Sequence, residues 1–328
     1  MITGTSKTDD LPAIDIHVHV ASIDPATGCY ISPRLYNSLI FRFLRWQLGI
    51  SSSDTPAGAD AKFQKRFQRE MEGMHSLQQC VILALDSVYD SSGERDLGAS
   101  TFYIPNDYIF RLCKEDSRLL PGASINPLRP DAIDELERCR ERGAVLVKWL
   151  PNTQGFDPGD SRFKPFWRKL AEVGIPLLSH TGNEYSLKSI DQKLGDPEKL
   201  RPVLEEGVTV IAAHGGGEGY LAGGYLEPFI RMLLHYPNLY ADTSALCLPI
   251  RLPCLFGLLK HPEVHHKLIH GSDAPLPIDA RVFVGRLSLA KIRELNRIPS
   301  SIERDYQIKL SLGFPSEIFT RGRAVLGI

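Results

Sequence analysis

The chain has 328 residues, of which 43% are hydrophobic and 23% charged, an ordinary globular composition. A net charge of −1, with acidic and basic residues interspersed, excludes the electrostatic footprint of a nucleic-acid or membrane-surface protein. No apolar run reaches the ~18 residues of a membrane-spanning helix, and six cysteines without a C-x-x-C pair read as free thiols of a cytoplasmic protein.

Residues 1–12 are expected to be a flexible polar tail with no signal-peptide core. The first strand-like run is Ala13-Ile14-Asp15-Ile16-His17-Val18-His19-Val20. Side chains at i and i+2 of a strand share a face. The alternation therefore predicts Asp15, His17 and His19 on one side and Ile14, Ile16, Val18 and Val20 on the other. At a rise of ~3.3 Å per residue the two imidazoles stand about 6–7 Å apart at their base, close enough to converge on one ion. A helical insertion follows at about 25–76. It contains an aromatic and basic stretch (Tyr36, Phe41, Arg42, Phe43, Arg45, Trp46) and a charged helix at 62–75. It reads either as an elaborated crossover packed on the fold or as a lid or homodimer surface.

From there strand-like and helix-like segments alternate. Strands are expected at 80–86, 119–126, 144–150, 175–181, 208–214, 239–243 and 266–271. Helices are expected at 131–142, 161–173, 197–206, 220–235, 250–259 and 280–295, with a closing helix at 311–326. Gly143, Gly174, Pro176, Gly207 and Pro237 punctuate the joints. Counting the first, there are eight strands. The expected fold is α/β, a distorted TIM (β/α)8 barrel in one domain, 13–328, with its insertion after strand one. The rival, an open doubly wound sheet, would bind at one switch point rather than gather side chains from strands one, five, six and eight.

Polar residues fall at the C-terminal ends of these strands, where barrel enzymes keep their chemistry. His180 and His214 end strands five and six, and Asp273 follows strand eight. Neutral imidazole and carboxylate are the usual ligands of catalytic zinc and similar ions. His214 reads as a ligand or a proton donor, and the glycines 215–217 after it allow close approach. Asp273 can bind the ion and accept a proton from water. His270 is expected to face elsewhere. A lysine inside an apolar strand is expensive unless it has a use. Lys148 therefore reads as a carbamate bridging two ions, an ammonium gripping substrate, or a snorkelling surface residue. Asp242 either orients a ligand histidine or caps its strand.

Asp15-x-His17-x-His19, His180, His214 and Gly271-Ser272-Asp273-x-Pro275, in this order, resemble the amidohydrolase superfamily. The resemblance is to its "amidohydrolase 2" branch, which includes aminocarboxymuconate-semialdehyde and resorcylate decarboxylases. It runs from about residue 13 to the end, except for the stretch near 25–75. It implies a metal-dependent barrel enzyme with His17, His19, His180 and Asp273 as ligands and His214 as proton donor or second-metal ligand. Lys148 matches the place of a carboxylated lysine in binuclear relatives. The expected cofactor is one or two divalent ions, Zn2+ first and Mn2+ second, with Asp273, His214 and Lys148 as the catalytic residues. The first function expected is hydrolysis of an amide, ester or lactone of a small molecule by a metal-activated water. The alternative is non-oxidative decarboxylation, or hydration, of an aromatic or unsaturated acid, with Arg42 and Arg45 as candidates to bind it.

Overall fold

The apolar runs pair into one parallel sheet. A computed structural model describes residues 11–51, 53–217, 224 and 226–328; the first ten residues of the expected tail lie outside the described residues. The strands are β1 (Ile14–His19), β2 (Gln79–Leu83), β3 (Leu119–Ser124), β4 (Leu146–Trp149), β5 (Leu177–Ser179), β6 (Val210–Ala212), β7 (Leu239–Asp242) and β8 (Leu268–Ile269). They follow one another around the sheet in sequence order. Backbone hydrogen bonds join the last to the first: Ile16 N to His270 O (3.1 Å), Asp273 N to His17 O (2.9 Å) and His19 N to Ala274 O (2.7 Å). This seam closes the barrel and sets Asp273 beside the histidines of β1.

Parallel strands are covered on both faces. Ile14, Ile16, Val81, Leu83, Leu146, Leu178, Ile211 and Ile269 form the interior layer. Val147, Trp149, Leu177 and Val210 face the helical layer, packing with Trp167, Leu170 and Phe229. The helices end where the sequence provides an end. Lys164–Val173 stops at Gly174, which takes φ 69° and donates its N–H to Leu170 O and Ala171 O.

The strict alternation expected in β1 does not occur. Asp15 pairs with Cys80 and Val18 with Ile82, so three steps on β1 match two on β2. This is a β-bulge, and it reverses the phase of every side chain after it. Ile14, Ile16, His17 and His19 all turn inward. Val18 faces out with Cys80 and Ile82, and Asp15, outside the barrel lumen, accepts from Ser272 N at 3.1 Å. Asp15 therefore does not share a face with His17 and His19.

Two helix expectations are corrected. The segment 280–295 is a 3-10 turn, Ala280–Phe283, and a helix, Leu289–Asn296. Gly285 reverses the chain between them at φ 87°, and Ser288 caps the second piece by accepting from Lys291 N. The closing segment 311–326 spans the end of one helix, Ser301–Ser311, and a second, Glu317–Leu326. Gly313, at φ 95°, and Pro315 separate them. Of the helix expected at 220–235, Leu226–His235 is present, and residues 218–223 and 225 lie outside the described residues.

The insertion carries helices Pro33–Tyr36, Leu39–Gln47 and Pro56–Glu72. The last starts earlier than the charge pattern suggests, because Thr55 caps it and Pro56 opens it. Unforeseen are the two-residue strands that tie the insertion to the loop after β2. Tyr30–Ile31 of the insertion pairs with Phe102–Tyr103 of the loop and makes the tie, while Val88–Tyr89 pairs with Arg95–Asp96 within the loop itself. They bring Phe102 and Ile104 over the barrel mouth.

Candidate metal centre

Three backbone features aim the polar side chains. The bulge turns His17 and His19 inward together. His214 and Asp273 sit at φ 61° and 66°, left-handed values that non-glycine residues seldom adopt and that gather at functional sites. Gly215, Gly216 and Gly217 continue the turn after His214 at φ 63°, 88° and 85°. A Cβ on Gly216 would lie 2.3 Å from the Phe229 ring, so the turn requires glycine there.

His17, His214 and Asp273 gather with one ligand atom each, all within 4.8 Å of one another. The Asp273 carboxylate divides its two oxygens. Oδ1 lies 3.1 Å from His19 Nε2 and 3.5 Å from His17 Nε2, while Oδ2 lies 4.0 Å from His214 Nδ1. His180 Nδ1 is 3.0 Å from His214 Nε2. His180 thus joins the cluster through His214, and His19 through Asp273. Lys148 is buried, not a surface lysine, and its Nζ lies 3.1 Å from His17 Nε2.

Asp242 supports the group from below. Its Oδ2 is 2.7 Å from His17 Nδ1, and its Oδ1 accepts from His214 N at 2.8 Å and Ser244 N at 3.0 Å. With Nδ1–H donated to the carboxylate, His17 presents the lone pair of Nε2 to the cluster. His270 is buried and faces Phe319 and Tyr306, away from the site.

Burial governs the charges. Burial and the Lys148 ammonium lower the pKa of His17 against the pull of Asp242. Burial and then Arg251 push His180 and His214 well below the ordinary histidine value. Burial pushes Asp273 up, but His17, His19 and Lys148 together hold it below the usual carboxylate range. Burial brings Lys148 down to about 8. Neutral imidazoles around an ionised carboxylate are the protonation states that a divalent ion requires of its ligands. A further fit comes from His180 Nε2, which is buried and has no hydrogen-bond partner among the described residues. The site can accept such an ion.

Two residues escaped the sequence reading. Glu184, four positions after His180, has Oε2 3.6 Å from His180 Nδ1. Its Oε1 accepts from Ser186 N (2.5 Å) and Leu187 N (2.8 Å), and burial raises its pKa. Arg251 is buried and donates to Asn183 O at 3.1 Å. Glu184 lies in a connection without periodicity and Arg251 in the first turn of the segment expected as helix 250–259, so spacing gives no signal that either faces the site. The cluster opens into a cavity of roughly 180 Å³, walled by Leu85, Phe102, Ile104, Leu150, Leu187 and Leu276.

A parallel barrel with a histidine and aspartate cluster at its C-terminal rim defines a class, the metal-site barrels. The chain belongs to the amidohydrolase family, whose profile matches residues 14–282. No curated protein matches it. Among solved structures it is similar to an uncharacterised TIM-barrel protein of Bordetella bronchiseptica, at 16% identity, TM-score 0.64, and 97% and 100% coverage of the two chains. A probable 2-pyrone-4,6-dicarboxylic acid hydrolase of Acinetobacter baumannii follows at 15%, TM-score 0.56, and 97% and 100%. The 5-carboxyvanillate decarboxylase of Novosphingobium aromaticivorans, complexed with manganese, matches at 14%, TM-score 0.53, and 99% and 98%. At such identities the likeness shows the fold. Among the described residues no helix is long and apolar enough to cross a membrane.

Proposed function

We propose that the protein is a metal-dependent hydrolase of a small amide, ester or lactone. The observation that carries this reading is the division of the Asp273 carboxylate between the two sides of the cluster. One oxygen stands with the β1 histidines, and the other remains available to a proton. His17, His19, His180, His214 and Asp273 would hold the ion, Zn2+ first by the nitrogen-rich donor set and Mn2+ second. A divalent ion bound there supplies Lewis acidity and lowers the pKa of its water.

The remaining steps belong to the chain's own residues. Asp273 Oδ2 takes the proton of the attacking water. The Lys148 ammonium, beside His17, faces the charge that develops on the carbonyl oxygen. Asp273 then hands that proton to the leaving group, and His214, aligned by Asp242 and Ser244, stays neutral as a holder of the ion. The apolar wall keeps bulk water from the reacting carbonyl.

A second reading, non-oxidative decarboxylation of an aromatic or unsaturated acid, draws on a different observation. An apolar cavity with a cation at its floor suits a carboxylate that leaves as CO2. The two are told apart with protein purified without chelator, assayed for bound ions and tested on aryl esters, lactones and hydroxybenzoic acids. Ester or lactone turnover without CO2 release is expected. CO2 release from the acids alone would replace the first reading with the second, and turnover in full after chelation would overturn both.

A further inference from the structure

The cavity above the cluster has a sharp division of chemistry. Its floor holds the four histidines with Asp273, Glu184 and Lys148, and its walls are apolar side chains such as Leu85, Phe102 and Leu187, interrupted by Ser186, which carries no charge. Among the described residues Lys148 is the one lysine or arginine that lines it. Arg251 is buried nearby, but it holds Asn183 O and does not form part of the wall. Glu184 adds a negative group. Its Oε1 is occupied by the backbone of residues 186 and 187, and its Oε2 stays on the His180 side.

We infer that the substrate is a compact molecule with a single anionic or carbonyl group and an otherwise apolar body, and that dicarboxylates are rejected. The inference rests on the proposed reading of the floor as an ion site and names what that site takes. One anionic group can be set down between Lys148 and the ion. A second carboxylate on the same small body would be stripped of water against leucine, phenylalanine and isoleucine with no cation to meet it. A desolvated, unpaired charge is the strongest rejection a pocket can build. The volume, roughly 180 Å³, lies below the about 300–1,000 Å³ of sites for larger ligands, which keeps the substrate small.

The test is calorimetric titration of the full chain, first with Mn2+, then of the Mn2+-loaded protein with benzoate and with benzene-1,3- and benzene-1,4-dicarboxylate. Benzoate is expected to bind at least about 100-fold more tightly than either dicarboxylate. The variant Leu187→Arg places a cation on the wall at a partly exposed position, and it should improve dicarboxylate binding at least about 10-fold over the wild type. Dicarboxylates binding as well as benzoate overturn the inference, as does a failure of all three to bind a protein that has taken up Mn2+; both results leave the ion site standing. Failure to bind Mn2+ overturns the proposed function and the inference with it.

Discussion

At the scale of single residues, Asp242 determines what His17 can do. Its carboxylate receives His17 Nδ1–H and the backbone N–H of His214 at once, so one side chain sets the tautomer of one imidazole and the position of another. An asparagine there would present an N–H to one of these partners. We expect Asp242→Asn to lower metal affinity about 10–100-fold with an unchanged circular dichroism spectrum, read by competition against a chromophoric chelator. Asp273→Asn removes the proton acceptor and keeps the shape. It should fold, and its kcat should fall about 10²- to 10⁴-fold; unchanged turnover would remove Asp273 from the proton transfer. His17, His19, His180, His214, Lys148 and Asp273 were legible in the sequence because each interrupts or ends an apolar run. Asp15 was legible as a residue but not in its direction. A bulge leaves no mark in an alternation of apolar and polar letters, and only the pairing of β1 with β2 reveals it.

At the scale of elements, the centres of all eight strands could be read, because a buried parallel strand is a short apolar run between glycines and prolines. Their ends could not: the expected 208–214 is Val210–Ala212 in the structure. Rim residues trade ladder pairing for the left-handed turns that aim His214 and Asp273. The pairing of the insertion with the loop after β2 was likewise hidden, since two-residue strands carry no periodicity. Helix Ser301–Ser311 shows a tie that no pattern predicts. Lys309 is fully buried, donates to Gly271 O at 2.8 Å and pairs with Asp305 one turn before it. This fixes the helix against the turn that carries Asp273. Removing one partner of a buried pair strands the other. Lys309→Met should cost about 3–5 kcal/mol in urea unfolding. The double variant Lys309→Met with Asp305→Leu should recover most of that loss while leaving Gly271 O without its donor. Equal losses in the single and double variants would show that the tie to Gly271, not the ion pair, carries the stability.

At the scale of the whole molecule, the interior is a reservoir of neutral imidazole. His17, His180, His214 and His270 all have lowered pKa values, with burial the largest cause in each. Unfolded histidines take up protons near pH 6.5 and these do not. Below that pH the unfolded chain therefore binds more protons, and stability falls as pH falls, by about 1.4 kcal/mol per pH unit for each such group. Asp15 has the opposite sign. Burial raises its pKa to about 7, so the folded state is the one that holds its proton between the ordinary carboxylate value and 7, offsetting one histidine. Burial also raises Asp86, Glu184 and Asp305, which oppose the histidines nearer the ordinary carboxylate range, so the metal-free protein should begin to lose stability as pH falls below about 6.5. His270 isolates one share of this effect. Both its ring nitrogens are buried without a hydrogen-bond partner among the described residues, with Asp15 Oδ2 4.0 Å from Nε2, so His270→Phe gives up no hydrogen bond and places an apolar ring beside Phe319 and Tyr306. Urea unfolding of metal-free wild type and His270→Phe at pH 7.5, 6 and 5 should show the variant's slope against pH shallower by about 1.4 kcal/mol per unit. Parallel slopes would mean that His270 is protonated in the folded protein. A divalent ion binds the folded state and competes with protons for the same nitrogens. Saturation with Mn2+ should therefore move the whole acid transition to lower pH in both proteins, while the difference between them, which arises away from the cluster, stays the same.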